Sequence, residues 1–211
     1  LELPGEQNPL VASRVLGKTA LLEFRTQKLG TSSNLQELQI QRSIIKDLID
    51  EFSSLEKNQG SDESLNTIQD RIKDIEQKLN FSSNSQDLYG KLIEIKKYVD
   101  NQITNLFIKT DLTGKDLINA GRRQEQTNSN WEVLLTFNNK GGDKFAEITK
   151  SIAGTNQLLA IILDGESISE ASVGSQFANT GITGGAATIS GNFTAENARE
   201  LEVQLKGGSL P

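Results

Sequence analysis

Cysteine, histidine and methionine are all missing from the 211 residues of this chain. Without cysteine there is neither a disulfide frame nor a thiol nucleophile. Without histidine the commonest general base and metal ligand is gone. Aromatic residues make up 5% of the chain and proline occurs three times, so any core must be mainly aliphatic. Basic charge is also in deficit. Lys and Arg number 22 against 28 Asp and Glu, a net charge of −6, which argues against a nucleic-acid partner, since phosphate binding draws on clustered cations. The adjacent pair Arg122-Arg123 sits beside Glu125 and reads as solvated surface. No apolar run is long enough to span a bilayer; the densest, Leu158 to Leu163, has the length of a strand. A chain that starts at Leu1 and holds no Met reads as a piece excised from a longer protein.

What is there falls into stretches of different period. In residues 1–28, Leu1-Glu2-Leu3-Pro4-Gly5 reads as a strand leaving through a Pro-Gly turn. Asn8 caps a helix with Pro9 at its first position and Gly17 at its end. A strand follows, with Ala20, Leu22 and Phe24 on one face. So few strands are not stable alone, and the stretch reads as part of a base.

Residues 31–109 change to a helical period. Leu38, Ile45, Leu48, Phe52 and Leu55 share one side, and Leu65, Ile68, Ile72, Ile75 and Leu79 step by three and four. Leu88, Leu92, Ile95, Val99 and Leu106 continue the pattern, with breaks at Asn58 to Ser61 and Asn80 to Ser85. This predicts three antiparallel helices joined by short loops, inserted as their own subdomain, with Phe81 plugging one end.

Residues 110–190 are mixed. Trp131 to Phe137 alternates as a strand, Asp143 to Ile152 is a helix facing inward through Phe145, Ile148 and Ile152, and Leu158 to Leu163 is an apolar strand. Asp164-Gly165 is a hairpin turn, and the returning strand holds Ile168. A loop rich in Gly, Ser and Thr runs from Gly174 to Gly185. Residues 191–211 open on a tight Gly191-Asn192 turn after a last strand. Thr194 then caps a helix whose Ala198, Leu201 and Leu205 form one face, with Gly207 ending it. The whole predicts an α+β fold, antiparallel sheets with helices packed on one face plus the inserted three-helix bundle.

That C-terminal stretch, running into Ser209-Leu210-Pro211, resembles the end of the extracytoplasmic domain of the SecD family, accessory subunits of the Sec translocase. Other stretches are similar in the same order: Leu1-Glu2-Leu3-Pro4-Gly5, Leu16-Gly17-Lys18-Thr19-Ala20-Leu21-Leu22-Glu23-Phe24-Arg25, and Leu112-Thr113-Gly114-Lys115-Asp116-Leu117. So are Phe145-Ala146-Glu147-Ile148-Thr149 and Leu159-Ala160-Ile161-Ile162-Leu163-Asp164-Gly165-Glu166. The chain departs from the family at Glu170-Ala171-Ser172, where members often carry Ala-Pro. The resemblance implies a first periplasmic domain with a ferredoxin-like base and a mixed head, on the periplasmic side of the bacterial inner membrane. It implies membrane anchoring in the parent chain, SecF and the SecYEG channel as partners there, and a role in binding unfolded preprotein during export driven by the proton-motive force. It implies no enzyme, no cofactor, no catalytic residue and no metal; the family's proton-conducting residues lie in membrane segments outside this sequence.

Read for chemistry on their own, the residues offer little. Ser43-Ile44-Ile45-Lys46 fits a Ser-x-x-Lys pattern, yet sits midway along an amphipathic helix with no companion motif. Gly181-Ile182-Thr183-Gly184-Gly185 lacks the Gly-Lys-Ser/Thr ending of a phosphate loop and precedes a strand. Asp164 and Glu166 flank a turn glycine and read as turn residues before they read as a carboxylate pair. Asn192-Phe193-Thr194 is a glycosylation sequon by pattern only, because Thr194 is needed as a cap. Val173, Phe177 and Ile182 are apolar with no strand or helix period. Either they seal the edge of the sheet, or they form an adaptable surface that takes up unrelated extended polypeptides. The competing functions are an adaptor docking a partner through the helical bundle, which predicts an exposed apolar stripe, and a carboxylate-dependent hydrolase, which predicts convergent acids of perturbed pKa.

Overall fold

The computed structural model describes residues 21–57, 62–126 and 129–209. The strand and helix expected within residues 1–17, and the break at Asn58 to Ser61, lie outside them. In chain order the elements are β1 (Leu22–Gln27), α1 (Ser32–Lys57), α2 (Asp62–Leu79), α3 (Leu88–Asn105), β2 (Phe107–Thr113), β3 (Leu117–Gln124) and β4 (Trp131–Phe137). They continue with α4 (Asn139–Ile152), β5 (Leu158–Leu163), β6 (Glu166–Ser172), β7 (Ala186–Phe193) and α5 (Ala195–Ser209). They sort into two compact units, one joining residues up to Lys28 with those from Phe107 on, the other Leu29–Leu106.

The first unit is α+β with antiparallel sheets. One sheet runs β2-β1-β5-β6 and the other β3-β4-β7. β5 is apolar at all six positions, Leu158-Leu159-Ala160-Ile161-Ile162-Leu163, and is buried from Leu159 onward, as an inner strand covered on both faces should be. Its neighbour β1 pairs Phe24 with Ile161 and Leu22 with Leu163. Phe24 is fully buried and meets Phe137 edge to face, ring centroids 5.5 Å apart. Each such side chain contributes about 1.5–3 kcal/mol by leaving water.

Residues 22–27 form an inner strand of the four-stranded sheet. β1 finds pairing on both sides, β5 on one and β2 on the other, which satisfies both its edges. The expected end of the helical stretch at 109 falls inside β2, where Lys109 sits opposite Arg25.

Helix α4 begins at Asn139, four residues before the Asp143 expected from periodicity, because the Asn138 side chain accepts from the Gly141 amide at 2.8 Å. That cap offsets two glycines in the first turn. α4 packs on β2, β4 and β5, and α5 on β3, β4 and β7. Thr194 Oγ1 accepts from the Asn197 amide at 3.2 Å and caps α5. Ala198, Leu201 and Leu205 are its buried face. α5 continues through Gly207 to Ser209; glycine weakens a helix by about 1 kcal/mol but does not forbid it. The Gly191-Asn192 pair does not turn the chain either. β7 runs through it to Phe193, and the extra length is taken up as a register shift opposite Trp131 to Val133.

In the second unit Leu35, Ile45, Leu48 and Phe52 of α1, Ile68, Ile72 and Ile75 of α2, and Leu92, Ile95, Val99 and Ile103 of α3 are buried. α2 ends at Asn80, whose φ of +47° and following Phe81 N–H to Glu76 carbonyl bond of 3.0 Å make a left-handed helix stop. Phe81 stacks on Tyr98 of α3 with centroids 4.4 Å apart. Asp87 then caps α3 by accepting from the Gly90 amide at 2.7 Å.

Candidate functional site

The apolar residues without a period lie on one strap of chain that leaves β6 and crosses to β7. Val173 follows the last residue of β6 and is buried, its carbonyl accepting from the Gly154 amide at 2.9 Å. Ser175 to Phe177 make a single tight helical turn, and the Gly181 amide donates back to the Phe177 carbonyl at 2.7 Å. The Ile182 amide donates to Oγ1 of Thr149 in α4 at 2.8 Å. At the far end the Gly185 carbonyl accepts from the Phe137 amide at 2.8 Å. Val173 belongs to the same buried cluster as Phe145 and Ile152, and Phe177 and Ile182 pack half-buried against it. Ser175, Gln176, Asn179, Thr180 and Thr183 face outward. In this conformation the three apolar residues seal the edge of the core.

The seat is shaped for this path. Thr149 is fully buried and its hydroxyl donates to the Phe145 carbonyl at 2.7 Å, so the same oxygen is oriented to accept from Ile182. Gly181 has φ +69°, and a Cβ there would stand 1.8 Å from the Ala146 carbonyl oxygen. Only glycine fits so close to the helix backbone.

The other candidates fall elsewhere. Ser43 and Lys46 are exposed on α1. Asp164 and Gly165 are the two central residues of the β5–β6 turn, with φ +51° and +88°, and the Asp164 carboxylate accepts from the Leu21 amide at 2.8 Å. Gly181 to Gly185 leads into a strand. An open depression of about 610 Å³ in the second unit is lined by Ser53, Glu56, Lys57, Asp87 and Tyr89.

Two half-sunken ion networks were not singled out from the sequence. The Glu23 carboxylate takes Lys109 and Arg25; burial pushes its carboxyl up, and the bonds from Lys109 and Arg25 outweigh that and hold it below the ordinary range. Glu132 is held low chiefly by Arg123, against burial, with Ser190 adding a hydrogen bond. The helix cap Asp87 is also held low, first by the Gly90 amide and then by Ser85. Lys109 reaches Glu23 from β2, and Arg123 and Ser190 reach Glu132 from β3 and β7, so only the strand pairing could have disclosed them; Arg25 stands two residues from Glu23 along β1 itself. Carboxylates held low are acceptors at neutral pH, whereas a general acid needs its pKa raised. Among the described residues no helix is long and apolar enough to cross a membrane.

Residues 92–211 match the family model for the P1 head subdomain of SecDF. The protein translocase subunit SecD of Prochlorococcus marinus is 56% identical over the whole chain, which covers 43% of that relative. The SecD of Synechocystis sp. is 41% identical, again over the whole chain and 40% of the relative. The chain thus spans about two fifths of the length of these relatives. Among solved structures, one described as a membrane component SecDF that enhances protein export superposes with a TM-score of 0.56 at 26% identity, covering all of this chain and 74% of that one.

Proposed function

The chain belongs to the SecD/SecDF family, and from that premise we propose that it is an extracytoplasmic, non-enzymatic module that holds unfolded polypeptide emerging from the Sec channel. In the full-length protein it works with SecF and SecYEG on the periplasmic face of the bacterial inner membrane, and its holding action supports export driven by the proton-motive force. The observation that carries the reading is the strap from Val173 to Gly185. It carries Phe177 and Ile182, half-buried against the core, among outward-facing polar residues, a mixed composition from which weak, sequence-tolerant capture of extended chain can be built. A holding device must also release, so affinity should be modest.

A second reading has one observation in its favour. Ile40 of α1 and Tyr89 and Ile93 of α3 are exposed, which suits docking of a partner protein on the helical unit.

Photo-crosslinking from positions 177 and 182 distinguishes them. Labelling of an unfolded export substrate well above that of its folded form supports capture by the strap. Equal labelling of both forms, or labelling only from the helices of the second unit, overturns it.

A further inference from the structure

We infer that the strap from Gly174 to Gly185 is a lid that must lift from α4 before Phe177 and Ile182 can take up polypeptide, and that Thr149 and Gly181 set how firmly it closes. The inference rests on the proposed capture of unfolded chain and specifies the state that performs it.

As seated, the apolar residues are already spent on the protein's own core. Val173 is 6% exposed, and Phe177 and Ile182 turn their packed sides to the cluster containing Phe145 and Ile152. What faces outward is Ser, Gln, Asn and Thr, which offers an incoming chain little apolar area. Capture therefore needs the packed sides to be uncovered.

The attachment is built for that. The two ends are pinned to the framework by backbone bonds, Gly154 N–H to the Val173 carbonyl and Phe137 N–H to the Gly185 carbonyl. The middle is joined to α4 by the Ile182 amide on the Thr149 hydroxyl and by the close approach of Gly181 to Ala146. Positive φ at Gly181, Gly184 and Gly185 marks residues able to absorb a change of backbone direction. A net hydrogen bond of ordinary strength then sets the closed-to-open ratio by roughly three- to tenfold.

The 211-residue chain carrying Thr149→Val, which keeps shape but loses the acceptor, provides the test. Amide exchange across residues 177–183 should quicken by roughly three- to tenfold, and labelling of reduced, carboxymethylated lactalbumin from a photoreactive residue at 177 should rise with it. Thr149→Ser should restore both. Gly181→Ala, which cannot seat, should move both further in the same direction. Unchanged exchange in Thr149→Val overturns the lid. Faster exchange with unchanged or weaker labelling also overturns it, while leaving capture by the seated strap intact. If no form labels the unfolded probe above a folded control, capture itself fails and the lid fails with it.

Discussion

Arg123 donates from Nε to Oε2 of Glu132 at 2.8 Å, and the two residues are direct partners across β3 and β4. This pair and the Glu23 network with Lys109 and Arg25 each hold a carboxyl below its ordinary range. A group whose proton affinity is lower folded than unfolded stabilises the fold above the unfolded pKa, about 4.3 for Glu. That stabilisation is lost as pH falls through the folded value, because the unfolded state binds the proton first. Urea midpoints should be level from about pH 7 to about pH 5 and then fall steadily toward pH ~3. Glu23→Gln should remove part of that slope. A midpoint that rises on acidification contradicts the assignment.

Ile72 is buried in α2 between Ile68 and Ile75. Ile72→Asp puts an unpaired charge there, at a cost of roughly 3–5 kcal/mol, and should unfold the unit Leu29–Leu106. Trp131 is the single tryptophan of the chain and lies in the other unit, so its emission reports that unit alone. The expected result is a large loss of helical circular dichroism with Trp131 emission unchanged. Loss of both signals in one transition refutes independent folding.

At the β5–β6 turn, Gly165 has φ +88° and a Cβ added there would meet nothing within 4 Å. Gly165→Ala therefore tests backbone strain without a clash. It should lower stability by about 1 kcal/mol and the melting temperature by roughly 2–4 °C. No change in melting would show that the turn tolerates a side chain at this angle.

The elements with a strong period were legible from the sequence. β4 and β5 have the bounds the alternation and the apolar run gave, and the apolar steps through Ile68, Ile72 and Ile75 mark the buried side of α2. β2 and β3 were not legible. In Phe107–Thr113 only Phe107 and Leu112 are buried, and Leu117–Gln124 breaks its alternation at Asn119, Gly121 and a register shift; neither carries a period-two signal. The pairing of β1 with β2 is hidden for the same reason. For the strap, composition pointed to Val173, Phe177 and Ile182. Nothing local could announce that Thr149, 33 residues before Ile182, holds the loop down.

The central claim is that this surface holds an emerging chain, and retrograde sliding measures it most directly. The full-length protein carrying Phe177→Asp and Ile182→Asp would be placed in membrane vesicles, with Trp131 emission of the isolated 211-residue chain checking that the unit stays folded. A translocation intermediate would then be stalled by removing ATP and its backward slippage timed. The expected result is faster slippage than with the unsubstituted protein, because a buried-facing carboxylate cannot hold apolar segments. Equal slippage rates, with the unit folded, contradict the claim.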